Sequence, residues 1–294
     1  MFRKAALALV APLLVAGACA TRADQSQEVL TGEAAVAALR AAPDAAAAAG
    51  SGRFEMTMSF DTPDGAFEML AAGGYSGRQM TMEMDFGSML ADLAAASGES
   101  LPPGFDEPMQ IVIDDTTAYL RVPMLAALTG ESDWLSLSQD ELGLAGDTFG
   151  LGAGANDPTK MLETLRGVTD GDLVEQGTEE VRGVGTTHLT AVVDLSKAVA
   201  QVPEAQRAAV EEMLEGIDPS LARMPVDVWI DGDGLVRRMS MQLGGVLTAA
   251  MGTEATASVT IEMFDYGEPV EIEVPAAAET TPYRDVLGAF GGMG

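Results

Sequence analysis

"MPVDVWIDGDGLVRRMSMQL", Met224 to Leu243, contains two alternating runs separated by Asp-Gly-Asp-Gly. Apolar and polar side chains alternate with a period of two on both sides of the tetrapeptide, which is typical of a strand with one buried face. The segment is therefore predicted to be a β-hairpin in a larger antiparallel sheet. The residues assigned to its buried face are Val226, Val228, Ile230, Leu235, Met239, Met241 and Leu243.

The tetrapeptide Asp231-Gly232-Asp233-Gly234 could also begin an acidic calcium loop. A helix-loop-helix calcium site needs a ligand at its fifth position and a glutamate at its twelfth. Counted from Asp231, those positions hold Leu235 and Gln242, and the flanking segments have the period of strands. Glycine and aspartate accept the positive φ that tight hairpin turns require. The sequence predicts a turn that binds no metal.

The same alternation recurs upstream, in four further predicted strands. One phase is apolar, and the opposite phase is polar enough to face solvent. The apolar phase consists of Phe54, Met56, Met58, Met82, Met84, Ile111, Ile113 and Leu120. The polar phase includes Glu55, Glu83, Asp85, Gln110 and Arg121. Additional strands are predicted at 172–181, 186–194, 255–266 and 270–274.

Few segments have the pattern of a helix. Pro158 directly follows Asp157 and suits the first position of a helix, whereas Pro43 is expected to separate two short helical segments. The predicted helical segments are 32–40, 43–50, 88–96, 158–167, 203–216 and a short one after Pro282. No Pro- or Ser-rich linker divides the chain, and the predicted class is α+β with a large antiparallel sheet.

The chain begins with the parts of a bacterial export signal. Arg3 and Lys4 precede an apolar run, 5–16, and small residues follow it. The run has about 12 residues, whereas a membrane-spanning helix needs about 20. Residues 1–18 are therefore predicted to be a signal peptide. Cys19 is the only cysteine, so no intramolecular disulfide can form.

Cys19 ends the sequence Val-Ala-Gly-Ala-Cys, which resembles a bacterial lipobox, although Ala16 stands where leucine is more usual. In that class of signal the cysteine thiol receives a diacylglycerol and becomes the mature N-terminus. The resulting expectation is a lipidated Cys19, a tether at 19–30, a folded domain at 31–275 and a C-terminal tail at 276–294. The alternative is a soluble secreted protein that is cut nearby and loses Cys19.

The charge of the chain excludes some partners. Removal of Arg3 and Lys4 with the signal takes the formal net charge from −29 to −31. Nucleic-acid binding requires basic side chains against phosphates, so no nucleic-acid partner is expected. The same charge disfavours an electrostatic hold on anionic lipid. A solvated, self-repelling surface explains the composition.

The sequence contains little that would support catalysis. The one histidine, His188, lies in the middle of a predicted strand, where a structural role is expected. The residues Gly74-Tyr75-Ser76-Gly77 lack the spacing of a nucleophile elbow. The run Gly150-Leu-Gly-Ala-Gly154 lacks the Lys-Ser/Thr of a phosphate loop. No enzyme activity, cofactor or metal site is predicted, although an enzyme that uses carboxylates alone remains open.

Four segments together resemble one family. They are GSGRFEMTMSF (50–60), VRGVGTTHLTAVVDLSKA (181–198), PVDVWIDGDGLVRRMSMQL (225–243) and VTIEMFDYGEPVEIEVP (259–275). With the lipobox and the N-terminal helix, they are similar to LppX/LprG-type envelope lipoproteins of the LolA-like superfamily. The resemblance spans most of the chain after Thr31. It consists of strand and turn patterns rather than catalytic signatures.

The resemblance implies a curved antiparallel β half-barrel with helices covering the concave face over an apolar cavity. It also implies binding or transfer of acylated lipids or lipoglycans. This chain departs from the family in its acidity and in the glycine-rich stretch near Gly150. No residue matches a family ligand-contact motif. The predicted lipid-cavity residues are therefore taken from the strand pattern and are Phe54, Met56, Met58, Met82, Met84, Ile111, Ile113 and Leu120.

The sequence is compatible with two functions. The first is a monomeric lipoprotein, anchored to the outer face of the cytoplasmic membrane through Cys19, that binds or transfers acylated lipids. The second is a non-enzymatic structural or signalling envelope lipoprotein with a filled core that binds a protein partner. The 18 methionines fit either function, because flexible thioethers can line an adaptable apolar surface or fill a dry core.

Overall fold

The computed structural model describes residues 32–62, 65–87, 90–91, 94, 107–123, 134–138, 141, 158–168, 173–194, 223–243 and 256–286. The predicted signal peptide and tether lie outside these residues, as do most of the helix predicted at 88–96, the stretch near Gly150 and the helix predicted at 203–216.

The strands of the described residues form a single sheet. They are β1 Ser51–Thr62, β2 Gly65–Ser76, β3 Gln79–Asp85, β4 Met109–Asp114, β5 Thr117–Arg121, β6 Trp134–Ser138, β7 Val174–Val181, β8 Val184–Asp194, β9 Arg223–Ile230, β10 Val236–Gln242, β11 Thr256–Phe264 and β12 Thr280–Pro282. Their spatial order is β12-β6-β5-β4-β3-β2-β1-β11-β10-β9-β8-β7. All neighbours are antiparallel except β12 and β6. The large curled antiparallel sheet is as predicted, and it is open because its edge strands do not pair with each other.

The two ends of the sheet differ in how the strands are connected. At one end, called the turn end, tight turns join β2 to β3, β4 to β5, β7 to β8 and β9 to β10. At the other end, called the loop end, β3, β5, β8 and β10 leave the sheet into longer connections. The loop end also contains the tight connection between β1 and β2, whose strands pair up to Thr62 and Gly65.

Helix α1, Gly32–Ala49, is one continuous helix with Pro43 inside it, so the predicted break at Pro43 is wrong. An internal proline costs a helix about 3 kcal/mol. The apolar stripe on both sides of Pro43, which includes Leu39 and Ala46, is buried in the core and offsets that cost. The tertiary contacts of the stripe override the local preference for a break.

The direction of α1 is set by contacts at both of its halves. At the turn end, the Gly77 backbone N–H donates to the Gly50 carbonyl at 2.7 Å. Farther back, Arg40 Nη2 donates to the Val168 carbonyl at 2.6 Å, and Val168 forms a β-bridge with Val193 near the loop end of β8. Helix α1 therefore runs from the loop end to the turn end.

The helix predicted to start at Pro158 is present. It consists of α2, Pro158–Glu163, followed by a 3-10 turn, Thr164–Gly167. Arg166 fastens this turn to α1, because its Nη2 donates to Asp44 Oδ1 at 2.8 Å. The hydrogen bonds that Arg166 donates to Asp44, followed by those that it donates to Glu163, raise the pKa of Arg166.

The hairpin of β9 and β10 is confirmed, but its return strand differs from the prediction. A register shift lies between Val236 and Arg238, and Val236 rather than Leu235 is fully buried. The extra residue of the bulge reverses the phase at this point. Asp231 is also buried. Its carboxylate accepts hydrogen bonds from the Asp233 and Leu235 backbone N–H groups and from Arg237 Nε.

Gly234→Val should destabilise the protein by about 2 kcal/mol, because a non-glycine residue in the left-handed region costs about 1–3 kcal/mol. Gly234 has φ +79°, and no heavy atom lies within 4 Å of an added Cβ, so the cost would be conformational. Urea denaturation would measure it. Gly234→Asn is the matched variant and should cost less, since asparagine tolerates this region. Equal stability of wild type and Gly234→Val would contradict the assignment.

The C-terminal part differs from the prediction in two ways. Residues 270–274 form no strand, so the strand predicted there is wrong. Residues 280–286, assigned from the sequence to the tail, join the sheet and the core: β12 pairs with β6, and Tyr283 and Val286 are buried. The parallel pairing joins segments far apart in the chain, and no local sequence period reports such a contact.

Candidate functional site

One side of the sheet, called the inner face, carries the apolar side chains that form the core together with α1. Strand register places them opposite one another, for example Met82 beside Ile111 and Ile111 beside Leu120. The buried members from the strands are Phe54, Met56, Ala71, Tyr75, Met80, Met82, Met84, Met109, Ile111, Ala118, Leu120, Leu135, Leu137, Leu189, Ala191, Val193, Met224, Val226, Val228, Ile230, Val236, Met239, Met241, Val259, Ile261 and Met263.

The eight residues predicted to line a cavity all lie on this inner face. Six of them are 0–4% exposed: Phe54, Met56, Met82, Met84, Ile111 and Leu120. Met58 and Ile113 are half-buried and pack against the same cluster. The structure brings the eight together on one surface. That they enclose a ligand stays a prediction.

The polar phase of the same strands faces the other way, on what is called the outer face. Glu55, Glu83 and Asp85 are exposed, and Gln110 and Arg121 are half-buried. The predicted division into one apolar and one polar side is therefore confirmed for these strands. The physical reason is that consecutive side chains of a strand point to opposite sides of a sheet.

Methionines form a large part of the inner face. Cross-strand neighbours include Met58 with Met69 and Met84 with Met109. A surface of flexible, polarizable thioethers can repack around apolar partners of different shape. The methionines on this face are Met56, Met58, Met80, Met82, Met84, Met109, Met224, Met239, Met241 and Met263.

The hairpin of β1 and β2 projects at the loop end. Strand β3 pairs with β2 only from Leu70 to Ser76, so residues 65–69 extend beyond it. Residues 58–62 and 65–70 are called the β1–β2 tip. Phe60 and Phe67 stack there with ring centroids 4.8 Å apart, and Leu70 is 49% exposed. The sequence shows both phenylalanines, but their position beyond the edge of β3 depends on strand lengths that the pattern does not predict.

Surface depressions lined by described residues include two whose linings contain none of the eight predicted cavity residues. One, of about 550 Å³, lies at the β1–β2 tip and includes Phe60, Phe67 and Leu70 in its lining. The other, of about 660 Å³, lies between β5, β6 and the segment after β12. Its polar lining includes Glu141 and Arg284, whose Oε1 and Nη2 are 3.1 Å apart.

His188 lies on the outer face and is held by side chains of neighbouring strands. Its Nε2 is 2.9 Å from Asp227 Oδ1 and its Nδ1 is 3.2 Å from Glu179 Oε1. Its ring stacks on Trp229 at 4.1 Å. The neighbouring hydroxyl of Thr190 donates to Asp227 at 2.8 Å, so it is not aligned for activation by the imidazole. The contacts fit the structural role predicted for His188.

A network of arginine–glutamate contacts links distant strands on the outer face. Arg182, in the turn from β7 to β8, donates to Glu262 Oε2 at 2.7 Å and also to Glu55. Its guanidinium lies 4.0 Å from the ring centroid of Phe264. Burial raises the pKa of the Glu262 carboxyl, but hydrogen bonds from Arg182 and Arg238 outweigh burial, and the net shift is downward. These contacts hold β1, β11 and the β7–β8 turn together.

Within the part of the chain that the structure describes, no group of three or more His, Cys, Asp or Glu side chains could hold a metal ion. Among the same residues, no helix has the length and apolar character needed to cross a membrane. Asp231, the residue on which the calcium alternative depended, instead accepts from Arg237 Nε at 2.6 Å and stabilises its own turn.

Comparison with known proteins gives one curated relative of this chain at the sequence level. No family model matches the chain. An uncharacterized 31.2 kDa protein in the rplA-rplJ intergenic region of Streptomyces griseus is 29% identical over 170 residues. The match covers 55% of this chain and 52% of that protein, so the chain spans about half the length of the relative.

Three solved structures illustrate the structural likeness. Lipoprotein LppX from Mycobacterium tuberculosis has a TM-score of 0.42 and 17% identity, covering 81% of this chain and 97% of that chain. LprF from Mycobacterium bovis has a TM-score of 0.42 and 16% identity, covering 83% and 97%. A LolA superfamily protein from Nitrosomonas europaea has a TM-score of 0.30 and 11% identity, covering 81% and 94%. The neighbours include the LppX and LolA types that the sequence resemblance predicts.

Proposed function

We propose that the chain is a membrane-anchored envelope lipoprotein that binds acylated lipids, including lipoglycans, on the inner face of its sheet. The observation that supports this most strongly is the continuous methionine-rich apolar face. It continues at the loop end into half-buried side chains, including Met58, Phe60 and Phe67. A surface of this kind binds hydrocarbon through area buried rather than through directed polar contacts.

Helix α1 acts as a cover in this proposal. Its apolar stripe, including Val36, Leu39 and Ala42, belongs to the same cluster as the inner face. Acyl chains would lie between the helix side and the strands, with α1 and the sheet moving apart to admit them. Each buried CH2 group contributes about 0.8 kcal/mol to binding. One face can therefore hold acyl chains of several lengths. The polar head of the lipid would remain at the loop end.

Anchoring through Cys19 places this activity at the outer face of the cytoplasmic membrane. Attachment by two or more acyl chains holds a protein at a bilayer far longer than one chain does. The proposed protein is a monomer without a cofactor, and it binds or transfers its lipid without chemical change. Its strongly acidic surface repels other copies of the protein and so opposes aggregation at the membrane.

A second candidate function is a structural or signalling lipoprotein that binds a protein partner. The observation in its favour is the tight burial of six of the eight inner-face residues, at 0–4% exposure. Side chains packed to this degree against each other suit a dry core as well as a collapsed, lipid-free cavity. The distinction requires a variant that fills space on the inner face.

Met58→Trp is expected to reduce bound lipid while changing the melting temperature little, because Met58 is half-buried and borders the loop end. Met84→Trp, on a 4% exposed side chain, should reduce lipid as well. In a filled core either change overpacks and costs about 1–3 kcal/mol. Native mass spectrometry of bound lipid and thermal melting would be measured on each variant.

Glu83→Gln is the matched control, since Glu83 is exposed on the opposite side of β3 from Met84. It should leave both the bound lipid and the melting temperature unchanged. Loss of stability in both tryptophan variants, with no lipid detected on any form including the wild type, would contradict lipid binding and leave the protein-partner function.

A further inference from the structure

We propose that the β1–β2 tip docks on the bilayer with its inner face turned toward the lipid, so that Phe60 and Phe67 enter the boundary between head groups and acyl chains. The inference rests on the proposed anchoring at Cys19, and it adds a second, non-covalent contact with the lipid surface. It also assigns an orientation in which the loop end of the sheet faces the membrane.

The tip extends beyond the neighbouring strand β3. The last pair between β2 and β3 is Leu70 with Asp85, so residues 65–69 continue past β3 for about 16 Å at 3.3 Å per residue. On the other side, β1 pairs with β11 as far as Asp61 and Thr256. Within the described part of the chain, the β1 side of the tip therefore pairs with β11, whereas β3 does not reach the β2 side of the tip.

The tip carries partly exposed apolar surface on its inner side. The stacked rings of Phe60 and Phe67 are half-buried and lie in the same row as Met58 and Met69. Leu70, which is 49% exposed, lies on the opposite side of β2, because residues an odd number apart in a strand point to opposite faces. Apolar side chains that stay partly exposed at a projecting end indicate a contact surface.

The first described residue, Gly32, lies toward the same end of the sheet as the tip. Helix α1 runs from the loop end to the turn end, as the Arg40 contact with Val168 and the Gly77 contact with Gly50 require. The 13 residue steps from Cys19 to Gly32 span at most about 45 Å. An anchored Cys19 would hold the loop end within that distance of the bilayer, which favours a lipid surface as the occupant of the tip.

Charge limits which lipid surface the tip can contact. Asp61 and Glu68 are exposed next to the aromatic pair and lie on the outer face, opposite the rings. The carboxylates would be repelled by anionic head groups, so the surface that fits the tip is zwitterionic. With the inner face of the tip turned toward the bilayer, the rings would enter by the roughly 5–10 Å typical of interfacial contacts, and both carboxylates would point away from the acyl chains.

Docking in this orientation would join the bilayer to the proposed lipid-binding face. Phe60 and Phe67 are cross-strand partners, and so are Met58 and Met69, which come next toward the core. Met56 continues the same row of side chains into the buried cluster. An acyl chain would follow this apolar row between membrane and inner face without crossing water.

The experiment uses the lipidated full chain in phosphatidylcholine vesicles whose acyl chains carry bromine, a short-range quencher of tryptophan fluorescence. Trp134 and Trp229 are replaced by phenylalanine, and one probe is added at a time. Phe60→Trp reports on the tip, and Thr116→Trp reports on the exposed turn between β4 and β5 at the turn end. We expect at least twofold quenching for the probe at 60 and none for the probe at 116.

A second pair of variants tests the apolar contact itself. Phe67→Glu, in the background with the probe at 60, should return quenching toward the level without bromine, because residue 67 pairs with residue 60 on the inner face. Val174→Glu is the control, because Val174 is an exposed apolar side chain on β7, the far edge strand, and it should leave quenching unchanged.

Equal quenching at positions 60 and 116, stronger quenching at 116, or loss of the wild-type chain from the vesicles would overturn the proposal. A blue-shifted probe at 60 without bromine quenching would assign the tip to a protein partner or a second copy, and would overturn it as well. Native mass spectrometry separates this outcome from the proposed function. Lipid bound without quenching refutes docking alone, and quenching without any bound lipid refutes lipid binding alone.

Discussion

Gly73→Ala is expected to lower the free energy of unfolding by about 3 kcal/mol, at the upper end of typical overpacking costs. A Cβ added at Gly73 would lie 2.1 Å from the Thr81 carbonyl oxygen and 2.8 Å from Phe54 Cζ. The first atom belongs to the backbone of β3, which is paired along β2, and the second to a fully buried ring. Neither can move without opening the ladder or the core. Urea denaturation followed by circular dichroism would measure the change.

The matched control is Gly232→Ala. No heavy atom lies within 4 Å of a Cβ at Gly232, and its φ is outside the left-handed region. The free energy of unfolding should change by no more than about 0.5 kcal/mol, as for most surface substitutions. Similar stabilities for the Gly73 and Gly232 variants would mean that β2 and β3 do not approach as closely as described.

Cys19→Ala is expected to abolish acylation and to release the chain from the membrane fraction, or to leave it as an uncleaved or differently processed form. The reason is chemical, since the thiol of Cys19 is the only one in the chain that could receive a diacylglycerol. Without acyl chains, the acidic protein has no electrostatic hold on anionic lipid. Radiolabelled fatty acid and membrane fractionation in a bacterial host would measure the effect.

Thr21→Ala is the control for this experiment, because it lies two residues beyond Cys19 and leaves the thiol in place. It should be labelled and membrane-bound like the wild type. Acyl label that appeared equally on wild type and Cys19→Ala would show that Cys19 is not the attachment point, and a soluble secreted protein would become the better description.

The strands could be predicted because their pattern is local. Phe54, Met56 and Met58 alternate with polar residues, and a period of two is produced by strand geometry whatever the neighbours are. The turn at Gly234 could be predicted for the same reason, since its left-handed backbone selects glycine. The eight residues assigned to one face therefore lie on one face.

Predictions from neighbouring residues failed where contacts between distant segments of the chain determined the structure. Helix α1 continues through Pro43 because its apolar stripe is buried in the core. Val236 is buried because a bulge shifts the return strand by one residue. The predicted strand at 270–274 has no partner, whereas β12 pairs with β6, more than 140 residues earlier. A strand exists only where another strand supplies its hydrogen bonds.

The sequence by itself determined the period of the strands, the position of the tight turns, the acidity of the surface and the single thiol at Cys19, because these depend on residue identity and neighbours in the chain. Only the tertiary structure decided which strands pair, that the stripe of α1 is buried in the core, that His188 contacts Asp227 and Glu179, and that the β1–β2 tip projects beyond β3. Those features depend on register and on the unequal lengths of neighbouring strands. Both are set by the balance of burial and hydrogen bonding over the whole sheet, which no window of the sequence contains.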